Sequence, residues 1–428
     1  MNINPAQSIR GRAKLPGDKS ISHRAALIGA IASGTTTIHN FSTAVDCATT
    51  LSCLEQLGVE LTRNNNTVEI QGSAQLQKPT TTLDCGNSGS TIRILSGILA
   101  RQGFSCELAG DSSLNSRPMN RIIKPLELMG AKFESNDGKP PLVIHGTQAI
   151  QAITYELPVA SAQVKSAILF AGLGAQGRTQ VKESSLSRDH TERLFNGFGV
   201  KVTTDEDLTV TIDGPAQLTG GEITVPGDAS SAAYFVAAAM LLPDSELTIE
   251  GVGLNPTRAE FLSLLSSWGA DISTEGVSDE RNEPIGTVKV RSGINSESSS
   301  ERRIDRPKIP SVIDELPLLA VVGSQLEGGL EIRDATELRH KESDRLKSTA
   351  TNLRLMGAHV EEHPDGLTVA GPTKLHSASL DSFGDHRIAM AFTIAALIAD
   401  GPTEIAGADC VNISFPEFFD LLDSVVVR

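Results

Sequence analysis

The feature of this 428-residue chain that most restricts its fold is an internal repeat. A helix-like run, then glycine with alanine or valine, then a β-like segment occurs five times; the signature glycines are Gly58, Gly130, Gly199, Gly269 and Gly357. They lie 72, 69, 70 and 88 residues apart, and "FDLLDSVVVR" at the C-terminus resembles a sixth, truncated copy. Such periodicity predicts an architecture built from six copies of one supersecondary unit.

Each copy also contains a first helix that is apolar on nearly all sides, such as "YFVAAAMLL" (234–242) and "IAMAFTIAALIA" (388–399). A helix without a polar face is predicted to be buried all round, whereas the second helices, such as "RAEFLSLLSSWG" (258–269), have one apolar stripe and should face solvent. Each unit therefore reads helix, strand, helix, strand, strand. Because the chain is too long for one hydrophobic core, we expect two domains with three buried helices each.

The longest interval between signature glycines contains a polar surplus. It exceeds the preceding 70-residue interval by 18 residues, and the polar stretch 291–308 is predicted to be a surface excursion. A break between the third and fourth units is expected near 220–228.

Composition excludes several classes of protein. With 37 Lys+Arg against 52 Asp+Glu, the formal charge is −15, which argues against nucleic acid or an anionic membrane as a partner. The N-terminus lacks the apolar core of a secretory signal, and the longest apolar runs are too short to span a bilayer. Five cysteines form neither a CxxC pair nor a metal-ligand spacing, so we expect buried free thiols and a soluble, cytoplasmic protein.

Polar and basic residues mark the entrances of the apolar helices. If these N-termini point to one cleft, their free N–H groups and partial positive charge would bind phosphate or carboxylate even in an acidic protein. In "GDKSISHR" (17–24), Lys19 stands at the helix entrance, and Ser20 and Arg24 share one helix face. Alone, this stretch is equally consistent with a capped, solvated first turn. Similar entrances in several copies favour a shared binding role.

Two apparent nucleotide motifs fail on context. "GLGAQG" (172–177) matches GxGxxG but follows a helix instead of joining a strand to one, and "GDKS" lacks the Gly-Lys pair of a P-loop. Neither a dinucleotide enzyme nor a nucleotide kinase is indicated.

Six motifs, taken in order, are similar to those of the 5-enolpyruvylshikimate-3-phosphate synthases: "PGDKSISHR" (16–24), "GNSGSTIR" (86–93), "SRPM" (116–119), "SAQVKSA" (161–167), "RHKESDRL" (339–346) and "GDHRIAM" (384–390). The resemblance covers essentially the whole chain. It implies an α/β fold, a two-domain inside-out α/β barrel of six βαβαββ repeats, three per domain. Residues 1–16 plus 226–428 would form one discontinuous domain and 17–225 the second, with hinge crossings near 17 and 226.

The resemblance also implies the reaction. The carboxyvinyl group of phosphoenolpyruvate would pass to the 5-hydroxyl of shikimate 3-phosphate, with release of phosphate, in aromatic amino acid biosynthesis. No cofactor and no metal would be needed, the partners would be these two substrates, and the protein would act as a monomer. Since both substrates are anions, cations at the helix entrances of an acidic protein become understandable. Because the cations come from both domains, anions that bridge them should favour a closed state.

Substrate contacts are implied residue by residue for Lys19, Ser20, Arg24, Asn87, Gly89, Arg117, Ser161, Gln163, Arg188, Lys341, Arg345 and Arg387. Gly89 and the arginines at 117, 345 and 387 would hold phosphoenolpyruvate, since guanidinium groups fix anions by paired hydrogen bonds. Asp314 resembles the base beside the attacking hydroxyl, Glu342 the acid that protonates the vinyl methylene, and Lys19 a further catalytic contact. We expect nearby cations to favour ionised Asp314 and burial to favour protonated Glu342.

Some positions depart from the pattern of many family members. Ile413 stands where a lysine is common, Glu337 where asparagine is common, and Ala162 where serine is common. "ISHR" (21–24) and "RDHTE" (188–192) are closer to the family's second, glyphosate-tolerant class, which implies weak inhibition by glyphosate.

Two other functions remain to be weighed. The sister enolpyruvyl transferase acting on UDP-N-acetylglucosamine shares the fold, but it usually depends on a reactive loop cysteine, and none of the five cysteines lies in a glycine-rich basic loop. A non-catalytic repeat scaffold would not need Asp314, Lys341 and Glu342 alongside converging arginines. Phosphate release on mixing the substrates distinguishes the three.

Overall fold

The computed structural model describes residues 1–294 and 302–428. The chain divides into two compact units. We call Met1–Leu15, Gly227–Ser278 and Pro284–Arg428 the C-terminal unit, and Pro16–Pro226 with Asp279–Glu283 the N-terminal unit. The short segment 279–283, which groups with the N-terminal unit, has no counterpart in the division expected from the sequence.

The strands, in chain order, are β1 Asn2–Ile3, β2 Ser8–Lys14, β3 Thr35–His39, β4 Glu60–Asn64, β5 Thr67–Gln71, β6 Leu83–Asp84, β7 Ser105–Ala109, β8 Lys132–Asn136, β9 Lys139–His145, β10 Thr154–Glu156, β11 Gly177–Lys182, β12 Val202–Thr204, β13 Thr209–Gly214, β14 Glu222–Thr224, β15 Glu246–Gly253, β16 Ala270–Glu280, β17 Glu283–Ile294, β18 Arg303–Ile304, β19 Leu330–Ile332, β20 Val360–His363, β21 Gly366–Val369, β22 Ser379–Asp381, β23 Thr403–Ala406 and β24 Val426–Val427. The α-helices are α1 Lys19–Ile31, α2 Val45–Gln56, α3 Gly89–Ala100, α4 Ser112–Ser116, α5 Asn120–Leu128, α6 Ala162–Gly172, α7 His190–Gly197, α8 Ala229–Leu241, α9 Glu260–Ser267, α10 Ile309–Val312, α11 Leu316–Gly323, α12 Arg345–Leu355, α13 His386–Leu397 and α14 Phe418–Val425. Two 3₁₀ helices span Thr336–His340 and Ala408–Ile413.

The repeat is visible in the sheets. In the sheet ordered β6-β7-β9-β8, the first two strands are parallel and are joined through α3, whereas β9 runs antiparallel to both β7 and β8. The sheets β10-β11-β13-β12 and β18-β19-β21-β20 have the same order. The predicted βαβαββ unit is therefore confirmed.

Two repeats obtain their first strand from elsewhere in the chain. Strand β2 immediately precedes α1 but pairs in parallel with β15, and β14 precedes α8 but pairs in parallel with β3. In the sixth, truncated copy, β1 completes the sheet by pairing antiparallel with β23. These hydrogen-bonded pairs are the physical reason why the first fifteen residues belong to the C-terminal unit.

Helices fill the interior of each unit, and sheets cover it. In α8 every residue from Ala229 to Met240 is buried, and α8, α11 and α13 contact one another in the C-terminal unit. In the N-terminal unit, α3 packs against both α1 and α6. Outer strands such as β4 and β8 are largely exposed. This inside-out arrangement confirms the prediction that the apolar first helices are buried on every side.

The signature glycines end the second helices of the first five repeats. All five have positive φ, from 80° at Gly58 to 107° at Gly130. Glycine adopts this left-handed conformation without the steric cost of a Cβ atom, so it can turn the chain from the helix into the next strand. The repeat of glycine in the sequence thus reflects a backbone requirement.

The polar stretch 291–308 is only partly what its composition predicted. Residues 291–294 continue β17, and the β16–β17 hairpin spans 270–294, whereas the equivalent β8–β9 hairpin spans 132–145. Much of the surplus is therefore a longer hairpin that begins before residue 291, and its first strand is largely exposed. Residues 295–301 of the stretch lie outside the described part of the chain.

Three further findings concern the described residues as a whole. None of their helices has the length and apolarity needed to cross a membrane. Among them we find no group of three or more His, Cys, Asp or Glu side chains placed to hold a metal ion. All five cysteines are free thiols, and four of them are buried.

Candidate active site

In the N-terminal unit, side-chain caps fix the entrances of the buried helices. Asp18 caps α1 by accepting a hydrogen bond from the Ile21 N–H, and Ser88 does the same for α3. Ser161 caps α6, with its Oγ 3.5 Å from the Val164 nitrogen. Caps of this kind satisfy otherwise free N–H groups at the helix start. They place Lys19, Gly89 and Gln163 in the first turns of three helices.

Two cations of α1 have defined partners. The Nζ of Lys19 lies 3.0 Å from Oδ2 of Asp46 on α2, with both side chains largely buried. Arg24 is 3% exposed, and its NH1 donates to the backbone oxygen of Ser20 at 3.0 Å. Burial lowers the pKa of Arg24 to about 10, although Glu192 raises it, so the guanidinium stays charged at neutral pH.

Arg117 and Gly89 lie together at the start of α3. Arg117 donates from NH2 to the Asn87 Oδ1 at 2.9 Å, and Asn87 donates in turn to Asp111 at 2.7 Å. Asn87, predicted to contact substrate, thus holds Arg117 in place. A Cβ atom at Gly89 would lie 3.4 Å from NH1 of Arg117 and 2.7 Å from NH1 of Arg93. A side chain at position 89 would therefore displace the guanidinium of Arg93 and would only just touch that of Arg117.

The amide of Gln163 is oriented by hydrogen bonds on both sides. Its Oε1 accepts from NH1 of Arg93 at 2.7 Å, and its Nε2 donates to the Ser90 hydroxyl at 3.0 Å. These bonds join the first turns of α3 and α6. Arg188 is half-buried just before α7, and its positive charge contributes to lowering the pKa of Arg24.

In the C-terminal unit, one guanidinium collects the predicted acid and base. Arg345, 2% exposed at the start of α12, lies with NH1 3.0 Å from Oδ1 of Asp314 and with NH2 2.6 Å from Oε2 of Glu342. Its Nε lies 2.8 Å from Oδ2 of Asp385. Burial opposes its charge, but the three carboxylates outweigh burial and raise the pKa of Arg345.

Two more cations surround the same carboxylates. The Nζ of Lys341 lies 3.8 Å from Oδ1 of Asp314. Arg387, in the first turn of α13, is 5% exposed; burial disfavours its charge, but Tyr234 and Asp314 more than compensate and hold the pKa of Arg387 well above its usual range. Burial also raises the pKa of Tyr234 to about 12, so at neutral pH its hydroxyl is protonated and the negative charge near Arg387 comes from carboxylates such as Asp314.

Arg258 is a site residue that our sequence interpretation missed. It is 3% exposed in its side chain and lies 3.3 Å from Glu315, 3.6 Å from Asp228 and 3.9 Å from Asp314. The signal was present in the repeat: arginines stand 11 to 13 residues before four of the signature glycines, namely Arg117, Arg188, Arg258 and Arg345. Aligning the repeats on their glycines would have found it.

A fully buried ion triad also escaped notice. The Nζ of Lys165 on α6 lies 2.6 Å from Glu183 and 2.6 Å from Glu192, and both Lys165 and Glu183 are 1% exposed in their side chains. Burial disfavours the charge of Lys165, but the two carboxylates outweigh it and raise its pKa. In the sequence, Lys165 is the single charged residue of helix α6, and no sequence pattern identifies its partners.

Comparison with known proteins places this architecture among the enolpyruvyl transferases. The chain superposes on the enolpyruvyl transferase NikO from Streptomyces tendae with a TM-score of 0.77, at 19% identity, covering 99% of this chain and 96% of that one, which establishes a shared fold. EPSP synthase from Acinetobacter baumannii superposes with a TM-score of 0.88 at 38% identity over 100% of this chain and 98% of that one.

Sequence comparison defines the family. The family model EPSP synthase (3-phosphoshikimate 1-carboxyvinyltransferase) matches residues 3–422. The 3-phosphoshikimate 1-carboxyvinyltransferases of Koribacter versatilis and Solibacter usitatus are 50% and 48% identical to this chain, over 100% and 99% of it and 99% of their own lengths. The chain therefore belongs to the EPSP synthase family. It is an enzyme of the shikimate pathway that transfers a carboxyvinyl group to 3-phosphoshikimate.

Proposed function

We propose that this enzyme forms enolpyruvylshikimate 3-phosphate by acid–base chemistry, with Asp314 as the base and Glu342 as the acid. The observation that carries the proposal is that both carboxylates bind the same guanidinium, that of Arg345. The proposed base for the alcohol and the proposed acid for the carbon atom therefore both contact the Arg345 side chain.

In the addition step the 5-hydroxyl loses one proton and C3 of phosphoenolpyruvate gains another. Asp314 accepts the proton of the 5-hydroxyl while the hydroxyl oxygen forms a bond to C2 of phosphoenolpyruvate. Glu342 donates a proton to C3. Glu342, now a carboxylate, then takes a proton back from C3 as phosphate leaves C2, and this regenerates the vinyl group. Because Glu342 must be protonated to donate, its ion pair with Arg345 has to give way, and the phosphate of the substrate is the natural competitor for that guanidinium.

Substrate contacts are assigned separately for each unit. In the N-terminal unit we assign shikimate 3-phosphate to Lys19, Ser20, Arg24, Ser161, Gln163 and Arg188, and phosphoenolpyruvate to Gly89, Arg117 and again Lys19, with Asn87 as a further substrate-binding residue that also orients Arg117. In the C-terminal unit Lys341 faces the shikimate ring, and Arg345 and Arg387 bind phosphoenolpyruvate. Buried guanidinium groups with fixed partners support this assignment because they present their remaining N–H groups in one orientation. We further propose that the enzyme acts as a monomer in the cytoplasm.

A phosphate-release assay tests this function. With phosphoenolpyruvate, we expect release with shikimate 3-phosphate and none with UDP-N-acetylglucosamine, and we expect full activity in excess chelator. Release with the nucleotide sugar would identify the sister reaction, and release with neither would favour a scaffold. Activity that vanished with chelator and returned only with a divalent ion would overturn the metal-free chemistry.

Ile413 offers a test of inhibitor discrimination. It is half-buried at the end of the 3₁₀ helix Ala408–Ile413, where many family members have a lysine. Restoring the cation with Ile413→Lys should tighten phosphoenolpyruvate and, more strongly, glyphosate, because the two anions need not gain equally from one added contact. The measurement is the glyphosate inhibition constant divided by the KM for phosphoenolpyruvate. A ratio that stays constant or rises in the variant would shift the cause of tolerance to the Asn87–Ser90 loop.

A further inference from the structure

The guanidinium of Arg24 is held by a directional chain of hydroxyl groups. Its Nε donates to the Thr191 Oγ1 at 2.7 Å, and its NH2 donates to the Ser166 Oγ at 2.9 Å. Thr191 and Ser166 hydroxyls lie 2.6 Å apart, and the Ser166 Oγ donates to the backbone oxygen of Ala162 at 2.6 Å. Arginine can only donate hydrogen bonds, so the Thr191 hydroxyl accepts from Arg24. Because Ser166 donates its own hydroxyl hydrogen to the Ala162 carbonyl, Thr191 must donate to Ser166.

This arrangement leaves a defined part of the guanidinium for a ligand. Arginine has five N–H donors, and Arg24 uses three of them: Nε on Thr191, one of NH1 on Ser20 and one of NH2 on Ser166. One N–H remains on each terminal nitrogen. Such a pair is the fork that binds an anion in bidentate fashion.

Thr191 is itself fixed, because its neighbours in the first turn of α7 are anchored. Glu192 pairs with Lys165 at 2.6 Å, and the Nδ1 of His190 lies 2.7 Å from Oε1 of Glu283, with both of those side chains 1% exposed. Glu283 comes from the segment 279–283, more than ninety positions further along the chain. Arg193 adds a bond from NH1 to the backbone oxygen of Asn282 at 2.9 Å.

We propose that Thr191 is a positioning residue for shikimate 3-phosphate binding, acting through Arg24. This inference rests on the proposed function, in which Arg24 contacts that substrate. The Thr191 hydroxyl accepts the hydrogen bond of the Arg24 Nε–H. It thereby fixes the orientation of the guanidinium plane and of the two N–H groups that remain for a ligand. Without its hydroxyl, a buried charged donor loses its acceptor and Ser166 loses a donor, so the fork can rotate away from the substrate.

The test compares Thr191→Val, which keeps the shape but removes the hydroxyl, with Thr191→Ser, which retains it. We expect Thr191→Val to raise the Kd and KM for shikimate 3-phosphate about 5- to 30-fold, while kcat and the KM for phosphoenolpyruvate change by less than about twofold. Thr191→Ser should behave like the parent enzyme, as should Thr203→Val, an exposed threonine on β12. Calorimetric titration with shikimate 3-phosphate alone gives the Kd independently of chemistry.

A double-mutant cycle separates this inference from the proposed function. In an Arg24→Met background, Thr191→Val should add no further weakening of shikimate 3-phosphate binding, because the side chain on which it acts is gone. If Arg24→Met alone leaves binding unchanged, the proposed role of Arg24 fails. If Arg24→Met weakens binding but Thr191→Val does not, or if Thr191→Val weakens it equally in both backgrounds, or if Thr191→Ser is as poor as Thr191→Val, the positioning role is overturned and the function stands.

Discussion

Replacing Glu342 with glutamine is expected to lower kcat by about 10²- to 10⁴-fold, the range that a positioned general acid contributes. Glutamine keeps the size of the side chain and can still accept the hydrogen bond that Arg345 now donates to Glu342 at 2.6 Å. It cannot deliver a carboxylic proton to carbon. We therefore expect the KM for phosphoenolpyruvate not to rise, because the loss falls on the transition state and a neutral amide competes less strongly than a carboxylate for Arg345.

The matched control for Glu342→Gln is Glu361→Gln, which removes an exposed carboxylate on β20 in the same unit. It should leave kcat and both KM values unchanged. Asp314→Asn should lower kcat over the same range as Glu342→Gln, since the alcohol loses its base. If Glu342→Gln retained kcat within about threefold of the parent, Glu342 would not be the acid, and the pairing with Arg345 would be only structural.

The repeat predicted the fold well because its signals are local. An apolar helix without a polar face has to be buried, and a glycine directly after a helix-like run can take the positive φ that ends the helix, whatever surrounds them. The exchange of β2 and β14 between repeats was not predictable in the same way. Which strand pairs with β15 or β3 depends on contacts between residues more than 180 positions apart, and no local pattern encodes that choice.

The residues of the candidate site were likewise predictable from the sequence only in part. Motifs at helix entrances located Lys19, Arg24 and Arg345 because capping and charge lie in adjacent residues. The partners that hold these cations came from other elements: Asp46 for Lys19 and Thr191 for Arg24. Arg258 is intermediate, since its position within the repeat marked it, but its carboxylate partners became visible only in three dimensions. A sequence thus identifies charges at helix starts more readily than the buried groups that orient them.

Removing the cation of the buried triad is expected to have the largest effect on stability. Lys165→Met should lower the free energy of unfolding of its unit by about 3–5 kcal/mol, the usual cost of leaving buried charge without its partner. In this variant Glu183 and Glu192 would face each other without the ammonium group that now lies 2.6 Å from each. The control is Lys182→Met, which breaks an exposed ion pair in which Nζ of Lys182 lies 3.1 Å from Oδ2 of Asp207. This change should lower the free energy of unfolding by less than about 1 kcal/mol.

The stability lost in Lys165→Met should depend on pH, and the direction follows from the pKa of Glu192. Burial already raises the pKa of Glu192 above its ordinary value, even with Lys165 beside it, and removing the cation should raise that pKa further. A carboxyl group whose pKa is raised in the folded state favours folding when protonated and disfavours it as pH rises through the folded pKa. The deficit in thermal unfolding temperature of Lys165→Met should therefore be greater at pH 8 than at pH 5. Adding Glu192→Gln should recover part of the loss at pH 8, because one unpaired charge is removed. A deficit that is the same at both pH values, or a double variant no more stable than the single one, would show that packing and not charge sets the role of Lys165.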